Sequence, residues 1–220
     1  MYVRTLTLLA ALVFCAPTLA VPMTFVNDPV ADRALFEAAA GPLVVESFED
    51  TFTNAPSVGF PVGGTQAFTV STNNGNLSSS SFARGVSDGT RSVAFDEDPQ
   101  TTLTFSFASA INAFGIDIND MNFVNLSISD NLGNNFSDIL LGDNGGPAGG
   151  AGFENRQFFG LVNSDAFSTV TLTFTRASDT GTLFLDRLQY GSARIPEPAT
   201  LALMGLGFAG LGYTRKRRAA

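Results

Sequence analysis

Carboxylates are the chemistry this chain has to offer. Its 220 residues include no histidine and a single cysteine, Cys15. Residues 21–195 contain neither cysteine nor lysine. Serine–histidine and cysteine–histidine nucleophiles, histidine-ligated zinc and lysine Schiff bases are therefore excluded. A pair of Asp or Glu side chains could still hydrolyse a glycosidic bond. Sugar sites usually stack rings on Trp or Tyr, however. This chain has no Trp, and Tyr190 is the only Tyr within residues 21–195. The residue types read as no enzyme, with a carboxylate-dependent glycosidase as the alternative.

The C-terminus holds a different kind of motif. Pro196-Glu197-Pro198 is followed by the uncharged run Ala199–Tyr213 and then by Arg215, Lys216, Arg217 and Arg218. The two prolines hold Glu197 extended, with its carboxylate presented to water. A helix can start at about Ala199, after Pro198 in a first turn. Fifteen helical residues span ~22 Å, short of the ~30 Å hydrocarbon core, so crossing requires local thinning or snorkelling flanks. Gly205, Gly207, Gly210 and Gly212 smooth one face for packing against another membrane helix. The four cations predict a cytoplasmic end to this transmembrane helix and a body on the far side of the membrane.

Motif, apolar run and basic stop together resemble the PEP-CTERM sorting signal of Gram-negative bacteria. The resemblance assigns residues 195–220 to that signal: motif 196–198, transmembrane helix 199–213 and basic tail 214–220. It implies that a membrane-embedded exosortase recognises Pro196, Glu197 and Pro198 and cleaves nearby. Glu197 is then a recognition element and not a catalyst.

The N-terminus agrees with export. Arg4, the apolar stretch Leu6–Ala16 and the small residues Thr18 and Ala20 read as a signal peptide, residues 1–20, cut by signal peptidase after Ala20. Cys15 lies inside the apolar stretch behind the bulky Phe14, which argues against a lipoprotein cysteine. Its removal leaves a body without a disulfide or a thiolate metal site. Residues 21–195 hold seven arginines against nineteen acidic residues, a net charge of −12. That argues against nucleic acid as a partner and is compatible with cations.

The elements that must position any site are mostly strands. Period-two alternation rich in Thr, Val and Phe marks 100–109 (Leu103, Phe105 and Phe107 inward), 167–175 (Val170, Leu172 and Phe174 inward) and 122–129. Further strands are expected at 43–48, 91–95, 113–118, 156–163 and 182–190, with turns at Ser87–Thr90, Asp130–Asn134 and Asp179–Gly181. A helix over 33–40 is expected, with Asp28 as its cap, Pro29 in its first turn and Gly41-Pro42 as its stop. The Gly-rich stretch 142–152 reads as a loop and lacks the residues of a phosphate loop. The fold class is all-β: a jelly-roll-like β-sandwich with one short N-terminal helix, spanning residues 21–194.

A looser likeness to other PEP-CTERM bodies runs through Phe36–Ala40, Glu46–Glu49, Phe114–Asp117 and Phe184–Gly191. It supports the fold and no activity. Many jelly-roll binding modules share a structural calcium between an acidic residue on an early strand and an Asp on the last. Glu46 and Asp186 occupy comparable places, and a hard cation would compensate their burial. The other reading puts Glu46 in solvent and Asp186 in a turn or beside Arg187. The cluster Asp96-Glu97-Asp98 and the pair Asp117 and Asn119 are expected to be solvated. No cofactor is required, with structural calcium as the one option.

Taken together, the sequence predicts an exported protein, held transiently in the inner membrane with its C-terminus cytoplasmic. It then reaches the cell surface or the extracellular matrix. Its expected partners are signal peptidase, exosortase and exopolysaccharide or envelope glycans. A permanently anchored single-pass protein is the further alternative.

Overall fold

The computed structural model describes residues 22–26, 30–82, 86–97, 100–119, 124–141, 156–175 and 181–192. Two long strands organise it: β7 (Gln100–Asn119, 20 residues) and β10 (Gln157–Thr175, 19 residues). They pair antiparallel along both their halves, with register shifts between Val162 and Phe167 and between Phe167 and Thr169. The sequence suggested two strands in each place. The expected pairs 100–109 with 113–118, and 156–163 with 167–175, each run through as one strand that turns a corner.

Each half of this ribbon carries its own neighbours. The first half of β7 pairs with β4 (Phe68–Thr72), and β4 with β3 (Ser57–Phe60). The second half of β10 pairs with β8 (Val124–Asp130), and β8 with β9 (Asn135–Leu141). Beyond the corner, the second half of β7 pairs with β11 (Gly181–Gly191). β11 in turn pairs with β6 (Ser92–Glu97) and, near its end, with β2 (Val44–Glu46). β5 (Ser78–Ser80) pairs with β6, and β1 (Met23–Val26) pairs with the first half of β10. One antiparallel sheet is thus folded into two layers.

The layers close on phenylalanine. Across the interior Phe95 of β6 meets Phe174 of β10 with ring centroids 5.2 Å apart. Phe68 of β4 meets Tyr190 of β11 at 5.4 Å, and Phe105 meets Phe114 around the corner at 5.2 Å. Edge-to-face and offset geometries of this kind add to plain apolar burial. The inward sets read from the sequence are buried as expected: Leu103, Phe105, Phe107, Val170, Leu172 and Phe174. The all-β sandwich with one short helix is the architecture of the described residues.

Helix α1 (Ala31–Ala40) lies on the outer face of the second layer. It begins at Ala31 with Val30 in the capping position and no side-chain cap; Asp28 and Pro29 lie outside the described residues. It ends where Gly41 N donates to Glu37 O at 2.9 Å. Phe36 is the residue that seats it. Gly115 of β7 and Gly160 of β10 are cross-strand partners, and their bare backbones leave a slot for the ring. A Cβ at Gly115 would stand 2.7 Å from Phe36 Cε1, and one at Gly160 would stand 2.8 Å from Phe36 Cδ2. Phe25 and Phe158 flank the same ring at 5.9 and 5.3 Å. The helix therefore covers a sheet face that would otherwise meet water, which explains why residues 113–119 are buried on both faces. Gly115→Ala is expected to destabilise the domain by about 1–3 kcal/mol through this clash, read as a lower denaturation midpoint. An unchanged midpoint would mean that Phe36 is not seated there.

Candidate functional site

The second layer's outer face brings two carboxylates together. Asp117 of β7 and Asp186 of β11 are direct cross-strand partners, and their exposures are 1% and 0%. This corrects the solvated placement expected for Asp117 and Asn119; Asn119, two residues along the same face, is also buried. Like charges placed so close demand compensation.

Three elements supply it. From the helix, an Arg33 Nη2 hydrogen bond and ion pair reaches Asp117 Oδ1, and the guanidinium lies 5.4 Å over the Phe158 ring. From β11 itself, Arg187 N donates to Asp186 Oδ1 at 2.8 Å. Arg187 has φ 45, within the register shift between Asp186 and Gln189. From the strap Val86–Arg91, Ser87 N and Asp88 N donate to Asp186 Oδ2 at 2.5 and 2.7 Å. The Ser87 hydroxyl lies 2.7 Å from Asp117 Oδ2 and 3.2 Å from Asp186 Oδ2, bridging the pair.

Further polar contacts fix the strap. Glu49 accepts from Thr90 N at 2.7 Å, Thr90 Oγ1 at 2.7 Å and Arg91 N at 3.1 Å. Ser47 Oγ donates to Asp88 Oδ2 at 2.8 Å, and Arg156 Nη2 donates to Val86 O. Gly89 has φ 74, and a Cβ there would stand 2.1 Å from Glu49 Oε1. The sequence marked Ser87–Thr90 only as a turn. No local signal shows that its amides land on a strand 99 positions away.

Electrostatics follow the burial. Loss of water pushes the Asp186 carboxyl up to about 6, against the pull of the Asp88, Ser87 and Arg187 amides. Burial also raises Asp117, against Arg33 and Ser87. Glu49, at the surface, is lowered by the Thr90 hydroxyl and the strap amides.

Glu46 is placed differently. It sits on β2 opposite Leu188, and its Oε1 accepts from Phe48 N at 2.9 Å. That bond steadies Phe48, a non-glycine residue with φ 53. Burial first, and Asp50 to a lesser degree, raise the Glu46 carboxyl. Glu46 and Asp186 thus lie on neighbouring strands, but each carboxylate is engaged by N–H donors. Among the described residues no group of three or more metal-ligating side chains is assembled. A cation could join Asp186 only by competing with the strap amides. Asp96 is exposed, whereas the rest of its acidic cluster is outside the described side chains.

The sorting signal decides what this chain can be matched to. Residues 194–218 match the PEP-CTERM protein-sorting motif. The chain carries a PEP-CTERM sorting signal. Its motif Pro196–Pro198, apolar run 199–213 and cations Arg215–Arg218 lie outside the described residues, as do the stretches expected to be a signal peptide, 1–20, and a loop, 142–152. Among the described residues no helix is long and apolar enough to cross a membrane.

No curated protein matches the sequence. Among solved structures, TmCBM61 in complex with β-1,4-galactotriose is similar at 17% identity and TM-score 0.38, covering 65% of this chain and 99% of that one. The catalytic domain of a GH87 α-1,3-glucanase in complex with tetrasaccharides is similar at 17% identity and TM-score 0.38, over 71% of this chain and 29% of that one. The catalytic unit of a GH87 α-1,3-glucanase from Streptomyces thermodiastaticus gives 14% identity and TM-score 0.35, over 69% and 26%. Likenesses of this size imply no shared activity.

The carboxylate pair sets a pH dependence with a definite sign. Asp186 has a folded pKa raised from 3.8 to about 6, so its contribution to stability is fully present below 3.8 and is lost as pH rises through about 6. Asp117 acts in the same direction. Glu49 has the opposite sign, its contribution being lost only as pH falls below 4.5. Denaturation midpoints are therefore expected to fall between pH 4 and 6, and Asp186→Asn is expected to flatten that slope. An identical slope in the variant would show that Asp186 does not titrate in this range.

Proposed function

We propose that this chain is an exported cell-surface or extracellular protein, carried there as an exosortase substrate, whose β-sandwich is a structural or binding body and not an enzyme. The observation that carries the reading is the PEP-CTERM motif at residues 194–218. Signal peptidase would remove residues 1–20. The tail 199–218 would then hold the chain in the inner membrane until exosortase acts at Pro196-Glu197-Pro198. The product would be released or attached to envelope or exopolysaccharide material.

The body's own chemistry supports a non-catalytic role. Asp117 and Asp186 are sealed beneath the helix and the strap, and their oxygens accept from Arg33, Ser87, Asp88 and Arg187. A glycosidase needs its two carboxylates open on either side of a scissile bond. Calcium, the cofactor option at Glu46 and Asp186, has N–H competitors at both carboxylates.

Mass spectrometry of the mature protein from its native envelope tests the sorting reading. The expected product lacks Arg215–Arg218, and Glu197→Ala is expected to leave an unprocessed, membrane-held chain. A mature protein that keeps all four cations would make the tail a permanent anchor. For the body, calcium and EDTA are each expected to leave the melting temperature unchanged. A calcium-dependent rise that is lost in Asp186→Asn would establish the metal site instead.

A further inference from the structure

The tether between body and signal is short. β11 ends at Gly191, and Pro196 follows five residues later. A fully extended chain advances at most about 3.6 Å per residue, so the motif lies within about 18 Å of the strand end. Whichever surface surrounds Gly191 must therefore sit near the bilayer while the tail is held.

Register identifies that surface. Gly191 is opposite Ala113, Ala113 is opposite Val162, and Val162 is opposite Met23. On the other side of β11, Tyr190 is opposite Val44. The α1 C-terminus arrives at the same end, where Ala40 packs with Ala113 and Val162. The corner of the long ribbon completes it with Ala108, Ser109 and Ala110, all exposed.

Two properties combine at this end. It exposes the large apolar side chains Val44, Val45 and Met23, at 54%, 48% and 46%, while Val30, Leu35 and Phe82 are exposed elsewhere on the body. It is also nearly free of charge, in a body that carries −12. Residues 22–25, 41–45, 108–113, 162–167 and 190–192 include one charged residue, Asp165. Asp50 and Asp130 flank this end as further negative charges, each accepting from a backbone amide, that of Val62 and that of Leu132. The opposite end of β11 differs: Gly181 and Thr182 pair with Glu97 and Asp96. An acidic body approaching anionic headgroups meets least repulsion through its neutral end, and valine and methionine gain by leaving water there.

We propose that the exit end of the sandwich, built from Met23, Val44, Val45 and the corner 108–110, rests on the lipid surface in which the tail is held. This rests on the sorting reading above. The body is then oriented, with β11 pointing its C-terminal end at the bilayer and the acidic end of the same strand facing away.

The test uses the chain from Val21 with its tail intact, the state that signal peptidase would leave, which carries no native cysteine. It is reconstituted in phosphatidylethanolamine–phosphatidylglycerol vesicles containing a headgroup-level spin-labelled lipid as quencher. Single cysteines at Val45, Thr182 and Met204 carry a bimane fluorophore in separate samples. Thr182 lies about 30 Å along β11 from Gly191. Quenching at Val45 is expected to exceed that at Thr182 by at least about two-fold. The Met204 probe reports insertion of the tail independently. Quenching at Met204 with equal, weak quenching at Val45 and Thr182 overturns the orientation and leaves the sorting reading standing. Quenching at none of the three overturns both. Protection of Val45 that arises only when exosortase is added assigns the surface to the enzyme and overturns the lipid contact. Val45→Asp with Val44→Asp is expected to lower Val45-side proximity, read from a second probe at Met23, without changing the Met204 signal.

Discussion

Two carboxylates facing each other without water are the constraint around which this body is arranged. Asp117 and Asp186 could not share a cross-strand position in an apolar layer unless donors reached both. The donors come from three separate stretches of chain: Arg33 on the helix, the Ser87 and Asp88 amides in the strap, and the Arg187 amide at the register shift. Helix, strap and central strand are thereby fixed to one another through a few oxygens. The Phe36 ring in its glycine slot supplies the apolar counterpart a few residues along the same face. Removing one partner leaves a buried charge behind, so the network is strong in the sense that it is costly to break in part.

Much of this fold was legible in the sequence, for a clear physical reason. Strands with one solvated face alternate, and Leu103–Phe107 and Val170–Phe174 do so plainly. Gly41-Pro42 stopped the helix where expected. Of the strands that escaped notice, Ser57–Phe60 and Ser78–Ser80 are short and Asn135–Leu141 lies at an edge, whereas Phe68–Thr72 is paired on both sides by β3 and β7. The second half of β7 misled in the other direction. Asp117 and Asn119 look like the polar face of an amphipathic strand, yet the helix and strap cover that face. Polarity in a sequence signals water only where nothing else supplies hydrogen bonds. Asp186 was singled out as a buried carboxylate in need of compensation; the compensation lies in amide hydrogens, which no residue type encodes.

Body and tail divide the molecule's work. The recognisable message, Pro196-Glu197-Pro198 with its apolar run and cations, is local in sequence and can be read without any fold. The sandwich is the reverse, since its polar centre exists only when residues 33, 87, 117 and 186 meet. One part of the chain is thus a message carried by consecutive residues, and the other a polar centre that only folding assembles.

The position of β11 carries one more consequence, in the order of events during synthesis. It is the last strand of the body, yet it joins β2, β6 and β7, and Glu46 must wait for Leu188 before it has a neighbour. On the sorting reading proposed above, a chain exported from its N-terminus could not close this sheet until residue 191 had cleared the translocon. Such distant pairings also form slowly. A tail that paused in the membrane would then give the late strand time to dock, and the delay before cutting would double as a folding interval in which an unfinished acidic body is kept from drifting away.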